Sequence, residues 1–151
     1  MLPVLKLIAT AHIEVDAPIT IGETAEGLRR VIPILGGRIH GSRLNGEILS
    51  AGADYQLIRA DGFTTLDARY VARLDNGALL YIVNMGVRTG APEVMARITR
   101  GEPVDPAEVY FRTSPRFETA SPDHEWLTRS LFVASGARYP DRVELEIYEV
   151  C

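Results

Sequence analysis

The chain is poor in the residues that most often announce a chemistry. It has one cysteine, Cys151, so neither an intramolecular disulfide nor a cysteine-built zinc site is available. Its three histidines, His12, His40 and His124, are widely separated and lack the close pair that metal sites typically use, so no metal is expected. Lysine occurs once, at Lys6, and the net charge is −4. Phosphate backbones call for a basic surface, which argues against nucleic acid as a partner. Long apolar runs are missing too: Ala78 to Val83 is far too short to span a membrane, and no membrane association is expected. Met1 to Lys6 has no basic region leading into an apolar core and cleavage site, so the expected location is the cytoplasm. There is no Gly-x-Ser-x-Gly elbow, no Walker loop and no dinucleotide fingerprint, and no cofactor is expected.

What is present is an ordinary globular composition, 46% hydrophobic and 24% charged over 151 residues, which fits a single domain spanning 1–151. Apolar residues recur mostly with period two. Strands are read at Val4–Val15, Leu28–His40, Leu44–Leu49, Ala53–Arg59, Thr64–Leu74, Ala78–Arg88, Val109–Thr119, Leu131–Arg138 and Val143–Val150. Gly36-Gly37 inside the second marks a bulge or sharp bend. Asp75-Asn76-Gly77 is the clearest hairpin signal. A helix is expected from Pro92 to Arg100, with proline at its first position and Gly101 just past its end. Pro122 to Thr128 reads as a short helical turn carrying Trp126. The connections are too short for parallel crossovers. The fold class is therefore all-β: a closed antiparallel barrel of about eight to ten strands with one short helix, lipocalin- or streptavidin-like in architecture.

The strand at Ala78–Arg88 is apolar on both faces: Leu79, Tyr81, Val83, Met85 and Val87 on one, Leu80, Ile82 and Asn84 on the other. An apolar outer wall, with Val83, Met85 or Phe132 in it, points to a homo-oligomer, a dimer or larger. Three strands carry a polar row: Asp67, Arg69 and Arg73; Tyr110, Arg112, Ser114, Arg116 and Glu118; Asp54 and Gln56. Such rows either face solvent or line the lumen, and the alternation itself is the same in both cases. Lumen placement makes Asp54, Asp67, Arg69, Asn84, Arg116 and Glu118 converge on one cavity as carboxylate–arginine pairs.

Several stretches together resemble a widespread bacterial family catalogued as domain of unknown function 3237. They are Gly52 to Gln56, Leu66 to Tyr70, Asp75 to Leu79, Val83 to Arg88, Phe111 to Thr119 and Trp126-Leu127. The likeness runs from about Leu28 to Tyr148. It implies a small antiparallel β-barrel and carries no activity and no catalytic residues with it.

The function expected from the residues is cofactor-free acid–base chemistry on a small organic molecule, by an isomerase, cyclase or lyase working inside the barrel. Asp54, Asp67 and Glu118 are the candidate bases. Arg69, Arg116 and Asn84 are candidate stabilisers of a developing oxyanion, with Tyr81 as a possible acid. Gln56, Tyr81, Asn84, Arg116 and Trp126 are candidate ligand contacts. Two alternatives stand beside this: a barrel that binds a small molecule without chemistry, and a structural or interaction protein with a filled lumen. A carboxylate of raised pKa beside an open cavity favours the enzyme.

Overall fold

Alternating apolar residues, broken by turns, make strands of almost the whole chain. The structure, a computed structural model, describes residues 1–151. Strands β1 (Leu5–Val15), β2 (Ile19–Thr24), β3 (Gly27–His40), β4 (Gly46–Ile58), β5 (Thr64–Leu74) and β6 (Leu79–Gly90) precede the helix α1 (Pro92–Thr99). Strands β7 (Val109–Glu118), β8 (Leu131–Tyr139) and β9 (Arg142–Val150) follow it, with 3₁₀ turns at Pro106–Glu108 and Pro122–Thr128. Every pairing is antiparallel, in the order β1-β9-β8-β7-β6-β5-β4-β3, and β1 returns to β3 to close an eight-stranded barrel. β2 is a ninth strand that pairs only with β3.

The closure depends on the double glycine. β3 pairs with β1 from Ile34 to His40 and with β2 from Gly27 to Val31. Its register against β4 shifts between Pro33 and Gly37, where Gly36 and Gly37 adopt φ of 151° and 142°. A Cβ on Gly37 would sit on the carbonyl oxygen of His12 in the neighbouring strand. At the other end of β1 the wall parts. β1 stays with β9 as far as Glu14–Arg142, then continues through Asp16 to Pro18 into β2, which has no pairing to β8 or β9. The barrel is thus split on one side, between β2 and the β8–β9 hairpin.

Two strand expectations are corrected. Leu44–Leu49 and Ala53–Arg59 are one strand, β4, bulged between Ile48 and Gly52 rather than broken. β2 was not expected, because all of its residues but Gly22 are exposed and a strand with no buried face leaves no hydrophobic alternation to read.

Inside the barrel the two halves differ. One half is filled: Phe132 packs edge-on to Phe117 at 5.2 Å, and Trp126 lies 6.1 Å from Phe132 across the barrel end, under the Arg43 guanidinium. Phe132 therefore does not belong to the outer wall. It shares the inner parity of Ala134 on β8, and Leu131 points out instead. The opposite end is crossed by α1, which buries Val94, Met95 and Ile98. Two arginines of the barrel hold it there. Arg30 donates to the Thr99 carbonyl at 2.8 Å, and Arg138 donates to those of Glu102 at 2.8 Å and Ile98 at 3.3 Å. Arginine donors suit the unpaired carbonyls at a helix C-terminus.

Candidate active site

Between the filled half and α1 lies a cavity of about 200 Å³. Strand parity decides what faces it. On β4, Asp54, Gln56 and Ile58 point in; on β6, Leu80, Ile82, Asn84 and Arg88 do; on β3, Arg30, Ile32 and Ile34 do. Asp54 pairs with Ala68, and Ala68 in turn with Asn84, so a small side chain separates the carboxylate from the amide. Arg88 lies four residues further along β6, on the same face, at the α1 end. Tyr70 and Phe111 form the floor towards the core, and Ile13, Ile32, Ile34 and Leu66 give the cavity an apolar wall. Asp16, Pro18 and Pro140 are exposed cavity-lining residues and mark a mouth at the split in the wall.

Asp54 is the only carboxylate recessed in this cavity, which it lines as a partly buried residue. Gln56 Nε2 donates to its Oδ2 at 2.9 Å, and the Asp67 backbone N–H donates to its Oδ1 at 3.1 Å. Loss of solvation nevertheless outweighs these donors and the nearby Arg88 charge, and holds its pKa above the ordinary aspartate value. Burial likewise pushes the Tyr70 phenol far up, so this hydroxyl stays protonated. Arg88 is 4% exposed, and burial lowers its pKa to about 10, which leaves it a cation at neutral pH.

Four buried side-chain atoms find no hydrogen-bond partner within the protein: Arg30 Nε, Asn84 Oδ1, Arg88 Nε and Thr113 Oγ1. All four belong to residues that line this one cavity. Buried polar atoms are rarely left unpaired, so the four together leave this cavity with unmet demand for a polar partner, water or ligand.

Of the six residues expected to converge, the structure brings two to the cavity and leaves four outside it. Asp54 and Asn84 reach the cavity, with Gln56 beside them. Asp67, Arg69, Arg116 and Glu118 do not, because the inner face of β5 belongs to Leu66, Ala68 and Tyr70, and that of β7 to Phe111, Thr113 and Phe117. Asp67 and Arg69 pair with each other on the outer face, Arg69 Nε to Asp67 Oδ1 at 3.2 Å, and Asp67 serves the site only through its backbone N–H. Tyr81 is exposed on the outside of β6, and Trp126 closes the far end of the barrel. Arg30, Tyr70, Arg88, Thr113 and Arg138 were missed. For Arg88 the signal was present: it continues the parity of Leu80, Ile82 and Asn84. No group of three or more His, Cys, Asp or Glu side chains is placed to hold a metal ion.

The family model described as "Protein of unknown function (DUF3237)" matches residues 3–150. The chain belongs to this family. A UPF0311 protein of Rhodopseudomonas palustris is 43% identical over 145 residues, covering 96% of this chain and 95% of that one. The crystal structure of a conserved protein of unknown function from the same organism superposes with a TM-score of 0.92 at 42% identity, covering both chains fully. A β-barrel-like protein of Acinetobacter baumannii matches with a TM-score of 0.88 at 35% identity, covering 100% of this chain and 98% of that one. At 16% identity, a crystal structure described as an enzyme from Penicillium herquei shares the fold, with a TM-score of 0.74 over 100% of this chain and 96% of that one. The family is thus a barrel family, and its members differ more in sequence than in architecture.

Proposed function

We propose that this barrel is an acid–base enzyme that moves a proton on a small organic molecule held in the cavity. The observation that carries the reading is Asp54: a recessed carboxylate of raised pKa, facing an open cavity with hydrogen-bond donors close by. A base tuned upward takes a proton at neutral pH more readily than an ordinary aspartate, and such tuning concentrates at catalytic sites.

The reaction class follows from the groups available. Asp54 removes a proton from a carbon next to a carbonyl. The C–H electrons form a carbon–carbon double bond, and the carbonyl π pair moves onto oxygen. The Tyr70 hydroxyl and the Asn84 amide, both lining the cavity, supply donors for that oxyanion. Where the substrate carries a further double bond conjugated with the enolate, return of the proton from Asp54 to its far carbon completes an isomerisation, while loss of a leaving group from the β-carbon or ring closure by the enolate gives a lyase or cyclase. None of these steps draws on a cofactor. Gln56 orients the carboxylate through its bond to Oδ2. That a protein of the same fold is described as an enzyme is consistent with the reading.

Deuterium exchange tests it. With 2-indanone as a neutral carbon-acid probe in D₂O, the wild-type protein should speed exchange at the carbons flanking the carbonyl, as read by proton NMR. Asp54→Asn should abolish the acceleration, and Asp67→Ala and Glu118→Ala should retain it. Acceleration that survives in Asp54→Asn, or none in the wild type, overturns the proposal and favours a binding barrel.

A further inference from the structure

We infer that the α1 end of the cavity is an anion subsite, and that the molecule bound there carries a carboxylate on an apolar skeleton. This rests on the reading of the cavity as the reaction site and names its substrate class. Three guanidiniums, Arg30, Arg88 and Arg138, line the cavity against one recessed carboxylate, Asp54. None of the three forms an ion pair, whereas seven surface arginines, Arg69 and Arg142 among them, each hold a carboxylate. Arginines outside the cavity, such as Arg43 and Arg116, are also without a carboxylate, but they are exposed to water, whereas Arg30 and Arg88 are buried, where an uncompensated charge costs most.

The three have different parts. Arg138 spends both terminal nitrogens on the carbonyls of Ile98 and Glu102, and Arg30 spends one on Thr99, so these two fix α1 and lend positive charge. The Arg88 guanidinium forms no hydrogen bond within the protein, and its Nε and that of Arg30 are buried without a partner. A planar guanidinium with free donors matches a carboxylate in geometry as well as charge. The charge balance leaves room for an anion: burial disfavours the cationic form of all three, the Asp54 charge offsets part of this for Arg88, and Arg30 adds to the penalty for both Arg88 and Arg138. A bound anion relieves that mutual repulsion. Asp54 lies further along the barrel from Arg88, in one rung with Ala68 and Asn84, and the apolar wall lines the same cavity. The arrangement orients a substrate, its carboxylate towards α1 and its reacting carbonyl towards Asp54. At the rim, exposed Arg100 is paired with Glu102, and exposed Asp16 adds one negative charge at the mouth.

The test uses 3-phenylpropanoate and its neutral counterpart 3-phenylpropanamide, titrated calorimetrically into the full-length protein. The carboxylate should bind about tenfold or more tightly than the amide, as charge-assisted hydrogen bonds warrant. Arg88→Gln should remove most of that preference, and Arg88→Lys, which keeps the charge and loses the fork, should restore part of it. Asp54→Asn should bind the carboxylate at least as tightly as the wild type while losing indanone exchange. Equal binding of acid and amide by the wild type overturns the subsite, and this comparison needs no variant to fold. Exchange without a carboxylate preference removes the substrate class and keeps the enzyme. A carboxylate preference without exchange keeps the subsite and removes the enzyme.

Discussion

The proposed chemistry of the cavity turns on Asp54, whose charged form is the costly one in the fold. Its folded-state pKa lies above the ordinary value of 3.8, so the native protein holds this proton more tightly than the unfolded chain does. The linkage sign follows. Stability contributed by the proton is present below 3.8 and is lost as the pH rises through the folded value, so at neutral pH the ionised Asp54 subtracts from stability. Asp54→Asn should therefore raise the melting temperature at neutral pH, with the gain shrinking as the pH falls towards 3.8; an unchanged or lower melting temperature at neutral pH would contradict this. The carboxyl ¹³C titration should reach its midpoint above the ordinary aspartate value. It should move further up in Arg88→Gln, because the Arg88 charge favours the carboxylate and its removal takes that support away.

At the scale of the strand, the glycines of β3 and of the β5–β6 turn make opposite demands. Gly77 has φ of 88° but open space around it, so Gly77→Ala should cost only about 1 kcal/mol in chemical denaturation. Gly37 combines φ of 142° with the His12 carbonyl where a Cβ would go, and Gly37→Ala should cost roughly 3 kcal/mol. Equal costs would show that the β1–β3 seam is slack. The strands, the Asn76-Gly77 hairpin and α1 were legible in the sequence because alternation, turn chemistry and the Pro92–Gly101 bracket are local signals. β2 was not legible, since an exposed edge strand has no buried face to pattern. The candidate site was legible only where polar residues interrupt an apolar row. Asn84 follows Leu80 and Ile82, and carrying that row on to Arg88 locates a buried guanidinium. In β5 and β7 the polar rows of Asp67 and Arg116 are complete in themselves, and which side of a barrel they take is set by the apolar row opposite. Leu66 and Phe111 claim the inside, so the polar rows are left outside.

For the whole molecule, the outer face of β6 leaves Leu79, Tyr81 and Met85 exposed, at 52%, 39% and 54%. That row supports the proposal that the barrel self-associates, since apolar patches of this kind mark contact surfaces. Light scattering at micromolar concentration should report a multiple of 16.6 kDa, lowered by Met85→Glu; a monomer mass for the wild type would rule the proposal out. The split between β2 and the β8–β9 hairpin has a kinetic consequence. In a fully laced barrel, a guest reaches the interior by waiting for strands to separate or for an end to unfold, and its exchange slows as the fold is made more stable. Here the mouth lies where no backbone hydrogen bond spans the wall. A guest of the proposed site should therefore pass in and out on the timescale of side-chain and loop motion while the ladders stay intact. Its residence time should then be set by the proposed arginine contacts, and amide protection of β4 to β7 should stay the same whether the guest is trading places or not.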